Sequence, residues 1–117
     1  MSTADEQPSL VHPVTPGPEH LAAASETLRM LAEPTRLHLL WQLSAGPRTV
    51  TELTEGSGVP RTVVSQHLAK LRLGGLVDTR KDGRHIIYSL RDGHLIRLIH
   101  EAINHADHIV TGEARHG

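Results

Sequence analysis

Residues 49–75 read TVTELTEGSGVPRTVVSQHLAKLRLGG, and the punctuation of this stretch decides the fold. Thr49-Val50-Thr51-Glu52 is a Ser/Thr-x-x-Glu capping box, which opens a short helix reaching Ser57. Gly58-Val59-Pro60 is a turn. From Arg61 the apolar positions Val64, Leu68 and Leu71 return at helical spacing until the Gly74-Gly75 pair ends the helix at Leu73. A short helix, a tight glycine turn and a longer helix make a helix-turn-helix.

Toward the C-terminus, 76–80 and 85–90 read as two strands around Lys81-Asp82-Gly83-Arg84, whose Asp-Gly is a strong hairpin signal. A hairpin with a basic tip directly after a helix-turn-helix is a wing. A last helix is expected from Gly93 to Val110, with a stripe of Leu95, Leu98, Ile99, Ala102, Ile103 and Ala106 wide enough to face both its own domain and a partner. Toward the N-terminus, Leu21, Ala24, Leu28 and Leu31 give a helix from Pro18 to Leu31. A second helix starts at Pro34, carries Leu37, Leu40, Trp41 and Leu43, and stops at Gly46-Pro47.

Pro8, Pro13, Pro16 and Pro18 punctuate a segment with little to pack, so 1–18 is expected to be a disordered arm. Residues 19–111 then form one winged helix-turn-helix domain for DNA binding and dimerisation, and 112–117 a flexible tail. The fold class is mainly α with a small β-hairpin wing.

The 117 residues include no Phe, one Trp and one Tyr, a meagre supply for a core that dimerisation would help complete. No run approaches the length of a membrane helix and the N-terminus lacks a signal-peptide pattern, which points to the cytoplasm and no membrane. The absence of cysteine excludes disulfides, thiolate metal sites and cysteine nucleophiles. Any transition-metal site must use nitrogen and oxygen. No HExxH, nucleophile elbow or spare carboxylate suggests an enzyme.

The net charge of −1 conceals an asymmetry. Residues 61–84 hold Arg61, Lys70, Arg72, Arg80, Lys81 and Arg84 against only Asp78 and Asp82. On charge alone a solvated face explains such a run. Within a helix-turn-helix and wing it becomes a DNA-reading surface: Arg61, Thr62, Ser65, Gln66 and His67 are placed for base edges and phosphates, with Lys70, Arg80, Lys81 and Arg84 drawing in the backbone of double-stranded DNA.

Asp92, His94, His105 and His108 carry a second signal. At about 100° per residue, the eleven residues from His94 to His105 return to within roughly 20° of the same stripe. The rise of about 1.5 Å per residue nevertheless separates them by roughly 16 Å, too far for one ion with ligand bonds of about 2.0–2.2 Å. A second, antiparallel copy of the helix would bring Asp92 and His94 of one chain to His105 and His108 of the other, giving two equivalent sites per dimer. Taken singly, each residue is more simply structural or solvated, since Asp92 is a good N-cap and histidine is plentiful. His100, about 240° round from His94, should point away from the stripe.

LRMLAEPTRLHLLWQL, TVTELTEGSGVPRTVVSQHLAKLRLGGLV and RKDGRHIIYSLRDGHLIRLIHEAINHADH resemble successive segments of the ArsR/SmtB family of winged-helix metalloregulators, over about residues 20–110. Ser65-Gln66-His67-Leu68 is similar to the family's recognition-helix signature. Asp92-x-His94 with His105-x-x-His108 is similar to the ligand pattern of its C-terminal-helix sensors of zinc, nickel and cobalt. The resemblance implies a homodimer through the first and last helices, a palindromic operator, metal control of DNA affinity, and repression as the commonest role. Two departures stand out: the short helix offers no thiolate, and Pro60 occupies a position where relatives often carry a hydroxyl cap.

The expected metal is Ni(II) or Zn(II), with Co(II) also compatible. Three His and one Asp make a tetrahedral set suited to zinc. Nickel and cobalt take six ligands, and His116, His12 and His20 could supply further donors, as tail residues do in similar nickel and cobalt sensors. The alternative is a metal-independent winged-helix regulator with structural histidines.

Overall fold

Helix boundaries in the computed structural model, which describes residues 14–112, are set by local capping chemistry. Helix α1, Pro18–Leu31, and helix α2, Pro34–Leu43, both begin with proline in the first turn, where its missing N–H costs nothing. Glu33 caps α2 by accepting from the Arg36 N–H at 2.8 Å, while Arg36 Nε donates back to the Met30 carbonyl at 2.9 Å. One residue pair therefore fixes the corner between α1 and α2.

Helix α3, Val50–Ser57, opens with both bonds of the capping box and ends on Gly58 at φ 75°. Helix α4, Arg61–Leu73, uses the Pro60 carbonyl for its first turn. It closes in a Schellman motif: Leu76 N–H donates to Leu71 O at 2.9 Å, Gly75 N–H to Arg72 O at 3.0 Å, and Gly75 supplies the left-handed residue at φ 81°.

Strands β2, Val77–Asp82, and β3, His85–Leu90, pair antiparallel. The wing is longer and its loop tighter than the sequence suggests. Asp82 pairs with His85, leaving Gly83-Arg84 as a two-residue loop with Gly83 at φ 64°. A further strand, β1 at Arg48–Thr49, pairs with β3 and makes a three-stranded sheet in the order β1-β3-β2.

Helix α5 spans Gly93–Asp107 and continues as a π-helical turn over His108–Gly112, so the regular helix ends three residues before the expected Val110. There the Thr111 hydroxyl donates to the Asp107 carbonyl at 2.8 Å. Leu39, Leu40, Leu43, Leu53, Val64, Leu68, Leu71, Val77 and Ile99 form one core that seats α4 against α2, α3 and β2 and packs α5 on α2. The arm up to residue 13 and the tail from residue 113, with His12 and His116, lie outside the described residues.

Candidate nucleic-acid interface and metal-ligand positions

Burial of Val64, Leu68 and Leu71 turns the other side of α4 to solvent, where Thr62, Ser65, Gln66, Ala69 and Lys70 are exposed. Arg61 stands at the head of this face, its Nη1 donating to Thr51 Oγ1 at 3.1 Å. Arg80, Lys81 and Arg84 are exposed along the wing. Thr49, Thr51, Arg61, Arg84 and His85 line a recess of about 120 Å³ between the wing and the two helices. Sequence reasoning missed Thr51 and His85 here. The signal available was their position, one inside the capping box and one opposite Asp82 at the wing tip.

His67 does not join this surface. Its side chain is only 17% exposed, and Nε2 lies 3.8 Å from Glu33 Oε1 at the α1–α2 corner. Three residues after Val64 and four before Leu71, it sits on the core-facing flank of α4. The Arg36 N–H, with a smaller contribution from His67, holds the Glu33 carboxyl below its ordinary value.

The metal-ligand candidates occupy the two ends of α5. Asp92 is its N-cap, accepting from the Leu95 N–H at 3.1 Å through Oδ1, and His94 is exposed in the first turn. His105 and His108, also exposed, lie at the far end, where α5 passes into the π-helical turn. Among the described residues, no group of three or more His, Asp or Glu gathers within one chain. The donors themselves suit a borderline divalent ion: three solvent-facing imidazoles and a carboxylate with one oxygen beyond its capping bond. His20 lies in the first turn of α1. His100 is on another flank of α5, its Nε2 2.9 Å from Ser44 Oγ. Because that hydroxyl donates to the Trp41 carbonyl at 2.6 Å, the ring nitrogen must be the donor to Ser44.

Two apolar features border the candidate ligands. An open groove of about 490 Å³ runs between α1 and α5, with Leu28, Leu76, Leu98, Gly75, Asp92 and His94 in its walls. Leu21 and Leu28 on α1 are 54% and 53% exposed, and Ile109 on the π-helical turn is 51% exposed. Nothing among the described residues covers these side chains.

A family model described as a helix-turn-helix domain matches residues 31–80. The HTH-type transcriptional regulator KmtR of Mycobacterium tuberculosis is 46% identical over 91 residues, covering 78% of this chain and 70% of that one. The HTH-type transcriptional repressor SmtB of the same organism is 42% identical over 94 residues, 80% of this chain and 70% of the relative. The chain belongs to the ArsR/SmtB family. Among solved structures it superposes on the homodimeric winged helix-turn-helix domain Mb0332 of Mycobacterium bovis, a possible ArsR-family regulator, with TM-score 0.71 at 28% identity, covering 79% of this chain and 85% of the other. HlyU of Vibrio cholerae matches with TM-score 0.70 at 31% identity, covering 74% and 94%. These relatives are transcriptional regulators, not enzymes. No described helix is long and apolar enough to cross a membrane.

Proposed function

We propose that this ArsR/SmtB protein is a metal-responsive transcriptional regulator, of repressor type, that binds double-stranded operator DNA as a homodimer. The observation that carries the reading is the division of four donors between the two ends of α5. Asp92 and His94 make one half-site, His105 and His108 the other, and an antiparallel second copy completes both. The uncovered Leu21, Leu28 and Ile109 supply apolar area for such a contact.

The bound ion, Ni(II) or Zn(II), would tie the two α5 helices together. The angle between subunits sets the separation of the two α4 helices, which must match successive major grooves about 34 Å apart. A small rotation at the α1/α5 seam therefore changes operator affinity. By linkage, a metal that weakens DNA binding by a given factor is itself held more weakly on DNA by the same factor. Within α4, Gln66 suits adenine and Arg61 guanine, while Lys70, Arg80, Lys81 and Arg84 suit phosphates.

Zinc is satisfied by the four donors. Nickel favours recruitment of His20, or of His12 and His116 in the ends of the chain. A cobalt(II) titration tests the reading: strong visible bands saturating at one ion per chain mean a closed tetrahedral site, and weak bands at the same stoichiometry mean six ligands. No uptake would contradict the proposal. One observation favours a metal-independent regulator instead: Asp92 already has structural work as the N-cap of α5. Operator binding that metal does not alter, and that stays normal when Asp92, His94, His105 and His108 are all replaced, would decide for that alternative.

A further inference from the structure

Arg91, which with Asp92 links β3 to α5, bonds at two places to the segment that follows α4 and lies over a third. Its backbone N–H donates to the Leu76 carbonyl at 3.0 Å. Its guanidinium donates to Asp78 Oδ1 twice, from Nη2 at 2.7 Å and from Nε at 3.2 Å. The same group lies over Gly75, where an added Cβ would sit 3.3 Å from Nη1, and Gly75 is the left-handed residue that closes α4. Gly75, Leu76 and Asp78 are thus the corner leading from α4 into the wing, and one side chain spans that corner.

The other neighbour of Arg91 is Asp92, the N-cap of α5. Its carboxylate also attracts the guanidinium, less strongly than Asp78 does. The groove between α1 and α5 has Gly74, Gly75 and Leu76 on one side and Asp92 and His94 on the other. Anything seated in it touches both sides of the same joint. With about half of each side chain exposed, the Arg91–Asp78 pair adds little to global stability. Its geometry, two donors from a rigid fork on one oxygen, is better suited to fixing a direction than to holding the fold.

We infer that Arg91 is a positioning residue: through its fork on Asp78 and its contact over Gly75, it couples the Asp92 end of α5 to the orientation of α4. The inference rests on the proposed metal site. It adds a specific route from that site to the DNA-reading helix. A metal held by Asp92 would draw on the carboxylate that also faces Arg91. A shift of Arg91 would then reach the Schellman turn that ends α4 through the Leu76 bond and the Asp78 fork.

The test uses the full-length chain with Asp78→Asn, Arg91→Gln and the double variant, with Arg91→Lys as the conservative control. Operator affinity is measured without metal and with saturating zinc or nickel, alongside cobalt uptake. Metal-free operator affinity should stay within about threefold of the parent and metal stoichiometry should be unchanged. The ratio between the two states should fall about fivefold or more in either single variant, with no further loss in the double. Arg91→Lys, which keeps the charge and loses the fork, should lie between. A merely structural pair would instead lower both affinities together. Ratios within twofold of the parent in Asp78→Asn and Arg91→Gln would overturn the inference. A parent protein that takes up no metal would overturn the proposed function, and the relay with it, and is recognised before any variant is made.

Discussion

Gln42 and Gly56 meet where α2 crosses α3, and the Gln42 side-chain amide occupies the space a side chain at 56 would need. A Cβ on Gly56 would overlap Gln42 Oε1. Gln42 Nε2 reaches the Leu53 carbonyl at 3.5 Å, a long bond from the end of a flexible side chain. Alanine in place of a helical glycine is favourable by about 1 kcal/mol. Gly56→Ala in a Gln42→Ala background should therefore gain close to that amount in urea denaturation. Gly56→Ala alone should gain less, because Gln42 must first swing away. Equal gains in both backgrounds would show that the two residues do not compete.

On α4, Gln66→Ala should relax base preference at one operator position, at a cost of about 1–3 kcal/mol on the preferred sequence. Lys81→Ala and Arg84→Ala on the wing should weaken binding to all sequences alike and reduce the salt slope by about 1 each. Operator titrations over a range of salt concentrations separate the two kinds of contact. His67→Gln should leave base preference unchanged, since the His67 ring faces Glu33.

The Glu33 carboxyl titrates below its ordinary value in the folded chain because it caps the Arg36 N–H. The stability it gives is therefore fully present at neutral pH and is lost as pH falls from about 4.5 through the lowered folded value. Glu33→Ala should lower Tm at pH 7. The gap from the parent should narrow as the buffer is taken below that range.

Residues that act on near neighbours in sequence made much of the fold legible. The Thr49–Glu52 box and the Gly74-Gly75 stop satisfy backbone groups within a few residues, and the prolines at 18 and 34 remove an N–H that a first turn leaves unpaired, so pattern and structure coincide. Strand β1 escaped notice because two residues, Arg48 and Thr49, carry no alternation, and Thr49 serves as both strand and helix cap. Residue type and the Ser65-Gln66-His67-Leu68 resemblance place His67 on the DNA surface, whereas its spacing from Val64 and Leu71 puts it on the inner flank, beside Glu33. The Arg91–Asp78 fork joins residues thirteen apart across the sheet and leaves no local trace. The metal-ligand candidates are legible only as halves, since one chain places them at opposite ends of α5.

Chain mixing tests the division of that site between subunits most directly. One chain carries Asp92→Ala with His94→Ala, the other His105→Ala with His108→Ala, and neither homodimer should hold cobalt tightly. After the two are unfolded and refolded together, the mixed dimer has one site with all four donors and one with none. The account predicts that tight cobalt absorption reappears at one ion per mixed dimer, with the band shape of the parent. If mixing restores no binding, or if either homodimer retains parental binding, the metal is not held between Asp92 and His94 of one subunit and His105 and His108 of the other.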